Sequence, residues 1–426
     1  MKLLIASKND GKCREIQSAL GGLDLDFTTL RDFPDVASAT EEGASYEENA
    51  LEKARQYWTL TGVPALADDS GLEIEHLAGK PGVRSARFAG STSSYAQKNE
   101  AVLALLEGVP PAKRGARFVC AVAYIDANGD SYVVRAECKG RIAESIRGEY
   151  GFGYDPIFIP EGYDQTFGEL GQNVKSRISH RAKALLKARA FFAQGPSDNA
   201  GSGEGAMSVC KIVRTDIMSP SPGVVAEAAE SICAGRLIAY PTDTLYGLGA
   251  NALDAASASR LIEAKKRPAG KPISVIVGSV DQARSLASKP DGVWERLVDA
   301  FWPGPLTIVV EAAAAVPDTL TGGTGKIGVR VPDCPLARAI SERAEVPVTA
   351  TSANVAGRAP ATNAAEIVAA LGDRLSLVLD CGTLDADRGS TVVDVTSGKV
   401  RVIRKGVVAE ERIAAVLGES ALEDLN

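Results

Sequence analysis

Thirteen residues near the middle of the chain, Gln194 to Ala206 (QGPSDNAGSGEGA), constrain the fold more than any other stretch. They hold four Gly, two Ser and one Pro, with nothing bulkier than Gln. A backbone of that composition buries little and stays disordered or extended. Met207 follows at once with a fresh apolar start, SVCKIV. One hydrophobic core cannot easily run through such a segment. The chain therefore reads as two once-separate proteins in tandem: residues 1–193, a linker at 194–206, and residues 207–426.

Each part is long enough for its own core, because a domain above ~150 residues buries roughly 70% of its unfolded surface. Residues 1–193 carry 24 Lys and Arg against 26 Asp and Glu, and residues 207–426 carry 23 against 26. Neither balance shows the basic excess of a general nucleic-acid binder, which still leaves room for local phosphate pockets. The seven Cys (13, 120, 138, 210, 233, 334, 381) are odd in number and never form a CxxC pair. That spacing argues against zinc ribbons and a disulfide framework, and for a reducing compartment. The apolar run at the N-terminus is too short for a signal peptide, and no run approaches the ~18 residues of a membrane span. The expected location is cytoplasmic.

In the first part, Lys2 to Ser7 (KLLIAS) has a buried-strand pattern, broken by Asn9-Asp10-Gly11-Lys12 before a helix expected at Cys13 to Leu20. A strand, a Gly-containing turn with a Lys, and a helix can cradle a phosphate on backbone N–H groups. A plain strand–helix turn with a surface Lys has the same pattern. Glu41-Glu42-Gly43 then precedes a helix from Ser45 that carries Glu48, Asn49 and Lys53. Ala65 to Ala67 reads as a strand ending at Asp68-Asp69-Ser70-Gly71. Adjacent acids at a strand end repel, which suits Mg²⁺ shared with phosphate oxygens; an Asx-type turn is the other reading. Gly151-Phe152-Gly153-Tyr154-Asp155 spaces two aromatics with Gly, so a ligand can approach the backbone and stack on a ring. Lys175, His180 and Arg181 open the last helix, and the His is structural unless it faces the same cleft.

As an ordered set, SKNDGK, EEGASYEENALEKA, ADDSGLE, PGVRSAR, GFGYDPIF and KSRISHRAKAL resemble the inosine triphosphate pyrophosphatase family over essentially all of residues 1–193. The resemblance implies a mixed α/β fold of two lobes around a nucleotide cleft, commonly dimeric. It implies Mg²⁺-dependent hydrolysis of ITP, dITP and XTP to the monophosphate and pyrophosphate. By motif position, Ser7, Lys8, Asn9, Asp10, Gly11 and Lys12, with Lys53 and Lys175, match phosphate and ribose contacts, and Ser70 is a further substrate-binding residue. Glu41 and Asp69 match the metal-binding acids, and Asp69 also matches the base for the attacking water. Phe152, Gly153, Tyr154 and Asp155, with His180 and Arg181, match the base pocket. The family often has Thr-Gly where this chain has Ser7-Lys8, which leaves the first phosphate contact open. A modified pyrimidine nucleotide is the competing substrate, and the SHR and FGYD segments favour deaminated purines.

In the second part, a helix at Gly223 to Cys233 leads into a strand, Leu237 to Tyr240, that runs into PTDTLYGLG with Thr242, Thr244 and Tyr246. This is a small-ligand floor or simply a loop. Lys265, Lys266, Arg267 and Lys271 surround Pro268 and Pro272 ahead of an expected strand at Ile273 to Val277. Such a cluster is a solvated helix end or a polyphosphate site. Phe301-Trp302-Pro303-Gly304 reads as packing. Arg330, inside the apolar strand IGVRVP, needs a buried partner or an anionic ligand. A strand at Val348 to Ser352 ends near Asn354, and Ser390 and Arg404 complete the polar set.

YPTDTLYGLGANA, KKRPAGKP, FWPGPLT, GVRVPD, TATSAN, STVVD and IRKG resemble the YrdC-like threonylcarbamoyl-AMP synthases over about residues 210–410. The resemblance implies an open twisted α/β sheet with a concave face. Its reaction joins L-threonine, bicarbonate and ATP and releases pyrophosphate, for a separate transferase acting on adenosine 37 of tRNA. Thr242, Thr244 and Tyr246 then lie around threonine, and Lys265, Arg267 and Lys271 hold triphosphate and carboxylated threonine. Ser352, Asn354, Ser390 and Arg404 lie on the nucleotide, with Arg330 among the binding residues. The usual SANxSG segment reads SANVAG, so Ala356 removes one hydroxyl. The absence of CxxC pairs argues against the larger hydrogenase-maturation proteins, and the chain's end soon after Arg404 against an extra domain. The competing reading makes this half an RNA-binding or regulatory module. Homodimerisation through the first half is expected; direct nucleic-acid binding and channelling are not, since neither product feeds the other.

Overall fold

The computed structural model describes residues 1–39, 42–90, 92–194, 210–268, 270–384 and 388–418. The chain divides into two compact units, Met1–Val209 and Cys210–Asn426. The expected linker and Met207 lie outside the described residues, except that Gln194 ends the helix His180–Gln194. Among the described residues no helix is long and apolar enough to cross a membrane. Both units are mixed α/β.

The first unit is built on six strands: β1 (Lys2–Ile5), β2 (Asp26–Thr29), β3 (Ala65–Ile74), β4 (Gly115–Ile125), β5 (Ser131–Ile142) and β6 (Phe158–Pro160). β1 pairs in parallel with β2 and β3, and the chain then returns antiparallel through β4, β5 and β6. Five helices accompany them: α1 (Asp10–Leu20), α2 (Tyr46–Thr61), α3 (Tyr95–Leu105), α4 (Phe167–Ile178) and α5 (His180–Gln194). Their starts follow from capping. Asn9 accepts from the Lys12 N–H, Ser45 from the Glu48 N–H, and Ser94 forms a capping box with Gln97. The segment Asn9–Lys12, expected as a turn, is thus the cap and first turn of α1.

Long strands let one sheet serve two hydrophobic cores. Leu66 of β3 and Cys120, Val122 and Tyr124 of β4 join a cluster with Leu3, Ile16 and Leu185. Further along the same strands, Leu72, Ile74 and Phe118 join Val102, Phe158 and Phe167. The polar residues Asp68, Asp69 and Ser70 occupy β3 between the two, so the acid pair is mid-strand and not at the strand end expected from the sequence. Asp68 lies opposite Val122 and Asp69 opposite Ala121 in the ladder.

The second unit has two sheets. One contains β7 (Cys210–Arg214), β8 (Ile238–Pro241), β9 (Tyr246–Gly249), β14 (Thr351–Ser352) and β15 (Leu377–Asp380), in the order β14-β9-β8-β15-β7. The other contains β10 (Val275–Ile276), β11 (Leu306–Glu311), β12 (Lys326–Arg330), β13 (Val348–Thr349), β16 (Thr391–Asp394) and β17 (Arg401–Arg404), in the order β13-β10-β12-β11-β16-β17. The stretch Val348–Ser352, expected as one strand, is split: Thr349 pairs with Val275 in one sheet and Thr351 with Leu248 in the other. The FWPG segment is packing, with Trp302 edge-on to Trp294 and its indole N–H donated to the Leu306 carbonyl at 2.7 Å.

Candidate functional site

In the first unit a cleft of about 440 Å³ collects residues from every part of the fold. Ser7, Lys8, Asn9 and Lys12 come from the β1–α1 junction, Lys53 from α2, Asp69 and Ser70 from β3, Phe152 to Asp155 from the loop after β5, and Lys175, His180 and Arg181 from α4 and α5. Asp10 and Gly11 are not on its wall; Asp10 instead pairs with Arg31 at 2.6 Å, in the open. Glu41 lies outside the described residues.

The electrostatics of the cleft rest on buried ion pairs. Arg181, 2% exposed, donates to Asp68 at 3.1 Å, to Glu15 at 2.7 Å and to Ser70 Oγ at 2.9 Å. Lys12 meets Asp68 at 3.0 Å, and Lys53 donates to the Asp68 carbonyl at 3.1 Å. Burial alone would raise the Asp68 carboxyl, but Lys12, Arg181 and Lys53 hold it well below the usual range. Lys175 donates to Asp155 at 2.6 Å and lies 3.6 Å from Glu15. Its ammonium also sits 4.2 Å over the Phe152 ring, which fixes one aromatic wall. Asp155 in turn accepts the Phe152 N–H at 2.7 Å. His180 is stacked on Phe118 with centroids 4.6 Å apart, and burial together with Arg181 and Lys175 lowers its pKa well below the ordinary value, so the ring is neutral near pH 7.

The two adjacent acids do different jobs because successive side chains point to opposite faces of a strand. Asp68 turns to α1 and α5, where Lys12 and Arg181 neutralise it. Asp69 turns to α2, where Asn49 donates to Oδ2 at 2.9 Å and the Ser70 N–H to Oδ1 at 2.9 Å. The cation that answers Asp68 is therefore supplied by the chain itself. Asp69 lines the cleft with two oriented carboxylate oxygens. One or two carboxylates plus substrate phosphate is the usual Mg²⁺ arrangement, so Asp69 fits a metal ligand. Among the described residues no set of three or more His, Cys, Asp or Glu could hold an ion unaided.

In the second unit the polar residues gather at strand ends, in two groups. Lys265, 2% exposed, ends the helix Ala255–Lys265 and donates to the carbonyls of Ser352 and of Asn354, the latter at 2.7 Å. Burial, with Arg267 nearby, lowers its pKa to about 8. Arg267 donates to the Pro272 carbonyl at 2.7 Å, while Lys271 is exposed. The second group is Thr242, Thr244, Arg330, Ser390 and Arg404. Arg330 pairs with Asp243 at 3.0 Å and reaches Thr244 Oγ1 at 3.4 Å. Arg404 donates to Ser390 Oγ at 3.0 Å and its carbonyl at 2.9 Å, close enough to Arg330 for the two charges to oppose each other. The Thr242 hydroxyl closes the β8–β9 turn on Leu245 at 2.7 Å. The Tyr246 hydroxyl donates to the Gly382 carbonyl at 2.8 Å and accepts the Cys381 N–H at 3.0 Å, so it is committed to the fold.

Residues 3–191 match the family model described as Ham1 family. The dITP/XTP pyrophosphatase of Desulforamulus reducens is 44% identical over 188 residues, which cover 44% of this chain and 94% of that protein. That of Geobacter sulfurreducens is 45% identical over 184 residues, covering 43% and 92%. The N-terminal half belongs to the Ham1 family. Residues 230–406 match the Sua5/YciO/YrdC family model, described as Telomere recombination, so the C-terminal half carries a Sua5/YrdC domain. A solved structure of P. abyssi Sua5 complexed with L-threonine is 36% identical, with a TM-score of 0.47, and the match covers 49% of this chain and 61% of that one. The chain thus spans about 61% of the length of that protein.

Sequence reasoning missed part of the Ham1 cleft. Glu15 bridges Lys175 and Arg181 from α1, and its only sequence signal is its spacing three residues after Lys12 on one helix face. Ser85, Ala86, Tyr95 and Phe118 line the wall; Ser85 and Ala86 fall inside the PGVRSAR motif, but Tyr95 carries no motif at all.

Proposed function

We propose that the Ham1 half hydrolyses deaminated purine nucleoside triphosphates (ITP, dITP, XTP) to the monophosphate and pyrophosphate. The observation that carries this reading is the single cleft that unites Lys8, Lys12, Lys53 and Asp69 with Phe152, Tyr154, His180 and Arg181. Cations and backbone donors suit the phosphates, and the aromatic walls suit a base. A divalent cation, for which Mg²⁺ is our choice, would be held by Asp69 and Glu41 and would neutralise charge on the phosphate oxygens. Asp69, oriented by Asn49 and the Ser70 N–H, takes the proton of the water that attacks the α-phosphorus. Arg181 and His180, locked by Asp68, Glu15 and Phe118, meet the base. The relatives named dITP/XTP pyrophosphatase support this assignment.

For the Sua5/YrdC half we propose synthesis of threonylcarbamoyl-AMP from L-threonine, bicarbonate and ATP, to supply a tRNA-modifying transferase. No side chain acts as nucleophile: the carbamate of threonine attacks the α-phosphorus and pyrophosphate leaves. Lys265, Arg267, Lys271 and Arg404 would position the phosphates and offset the charge that builds on them. Arg330, beside Thr244, suits a carboxylate. We further propose that the chain dimerises through its first half.

Pyrophosphate release tests both readings at once. Wild type, Asp69→Asn and Lys271→Ala are each assayed with ITP, and separately with ATP, threonine and bicarbonate. We expect Asp69→Asn to lose roughly 10³-fold on ITP alone, the scale of a lost general base. Lys271→Ala should lose only the second activity. One substitution abolishing both would overturn the two-site reading.

A further inference from the structure

The backbone carbonyls of three residues that line the Ham1 cleft already accept from side-chain donors. The Tyr154 hydroxyl donates to Ser85 O at 2.8 Å, the Lys98 ammonium to Ala86 O at 2.6 Å, and Asn99 Nδ2 to Gly153 O at 3.2 Å. Ser85, Ala86, Gly153 and Tyr154 line the cleft, while Lys98 and Asn99 stand behind it on α3. Lys98 is 4% exposed and Asn99 3%. Tyr95, one turn earlier on α3, does reach the cleft and meets the Tyr154 ring edge-on at 5.7 Å. Asn99 Oδ1 is buried with no hydrogen-bond partner among the described residues, so this side chain delivers its donor while orphaning its acceptor.

We infer that Lys98 and Asn99, together with Tyr154, are specificity-determining residues that blind the cleft to exocyclic amino groups. The inference rests on the pyrophosphatase reading of this cleft. An amino group on a purine ring is a hydrogen-bond donor and must find an acceptor when it leaves water. Adenine presents one at position 6 and guanine one at position 2, whereas hypoxanthine and xanthine present none. A wall whose carbonyls already accept from buried donors offers only their second lone pairs. At Ala86 that lone pair lies beside an ammonium charge, which repels an incoming N–H. The amino group is then desolvated without full compensation, and discrimination comes from rejecting the wrong base as much as from holding the right one. Donors placed behind the wall achieve this without touching the nucleotide. Lys98 and Asn99 sit in YAQKNEA, a run that carries no recognisable motif.

The test is pyrophosphate release from ITP, ATP and GTP by wild type, Lys98→Met, Asn99→Leu and Tyr154→Phe. Each substitution frees one carbonyl at nearly constant side-chain size. We expect kcat/KM for ATP or GTP to rise about tenfold in at least one variant, through KM, so that preference for ITP narrows by that factor or more. Lys98→Arg, which keeps a cationic donor, should retain the wild-type preference. Structural damage alone would lower all three substrates in parallel, and that result overturns the inference. So do unchanged ratios in variants with the wild-type unfolding midpoint. If Lys98→Met fails to fold, Tyr154→Phe, which deletes a single oxygen, still decides. A wild type inactive on ITP removes the pyrophosphatase reading and this inference together; an active wild type with unaltered ratios removes the inference alone.

Discussion

In the Ham1 half five cations belong to the cleft or its support (Lys8, Lys12, Lys53, Lys175 and Arg181); Glu15, Asp68 and Asp155 pair with Lys12, Lys175 and Arg181, and Asp69 adds a fourth carboxylate to the wall. In the Sua5/YrdC half five cations belong to the polar set (Lys265, Arg267, Lys271, Arg330 and Arg404), and among the described residues a single carboxylate, Asp243, pairs with one of them. The other partners there are carbonyl and hydroxyl oxygens, which hold a cation in position without cancelling it. Both halves are read as gripping a triphosphate, yet only the second offers a preformed excess of positive charge. A nearly neutral cleft needs an added cation to accept several phosphate charges; a cationic one does not. Internal ion pairs in turn make the first site rigid and expensive to disturb.

The widest gap should appear when divalent metal is removed. We expect chelation to lower nucleotide affinity in the Ham1 half by at least about 100-fold, and ATP affinity in the second half by less than about tenfold. Calorimetric titration of Lys271→Ala with ITP and of Asp69→Asn with ATP, each with and without chelator, reads the two sites separately. Equal losses would mean that the contrast in paired charge does not govern binding.

A smaller difference should appear in stability. Asp68→Asn takes the carboxylate from Lys12 and leaves Arg181 with the carboxylate of Glu15 alone, in a site where Asp68 is 1% exposed, and breaking such a buried network costs about 3–5 kcal/mol. Lys265→Met leaves only carbonyls without a donor, a loss of about 1–3 kcal/mol. Denaturant unfolding of the two variants compares them directly. If Lys265→Met is the more damaging, the second half depends on that cation structurally and the comparison fails.

The sequence made much of this legible, and its failures are local. Strand ends, Gly-spaced aromatics and Lys/Arg runs identified both polar sets because their spacing along the chain survives folding. The division of labour between Asp68 and Asp69 did not, because it depends on β3 continuing to Ile74 with both acids on opposite faces. A strand ending at Ala67 would have left them together. Asn9 to Lys12 looked like a turn because Asn-Asp-Gly favours one, yet the Asn9 cap starts α1 there. Tyr246 looked like a ligand contact among hydroxyl residues, and only the distant Cys381–Gly382 backbone shows where its hydroxyl goes. Glu15, Lys98 and Asn99 act across long sequence separations on single helix faces, and a helix face does not reveal which of its residues meets a cleft.

The finest contrast is in pH dependence, and here two observables must move in opposite directions. Lys265 is held to about 8 by burial and by Arg267, against an ordinary 10.5. Below about pH 8 it is an ammonium in both folded and unfolded chains; between about 8 and 10.5 only the unfolded chain keeps the proton. The unfolded state then binds more protons, so this group makes the second half more stable as pH rises through that window. On the proposed role of Lys265, ATP affinity should fall over the same range, by no more than about tenfold per pH unit, because a cation assigned to the phosphates is lost. Bound phosphate favours the ammonium and displaces the fall upward. The Ham1 half has no such cation among the described residues of its cleft: Asp68 is held ionised far below neutrality, Arg181 is raised further by Asp68 despite its burial, and His180 is already neutral, while burial raises the Asp155 carboxyl against the pull of Lys175. Its affinity for ITP should fall less steeply over the same range at saturating metal, and through ionisation of the hypoxanthine N1–H rather than of a cleft cation. Lys265→Met should flatten both trends in the second half. If ATP affinity and stability instead rise or fall together, the titrating group is not Lys265, and the second site does not rest on a cation held by carbonyls.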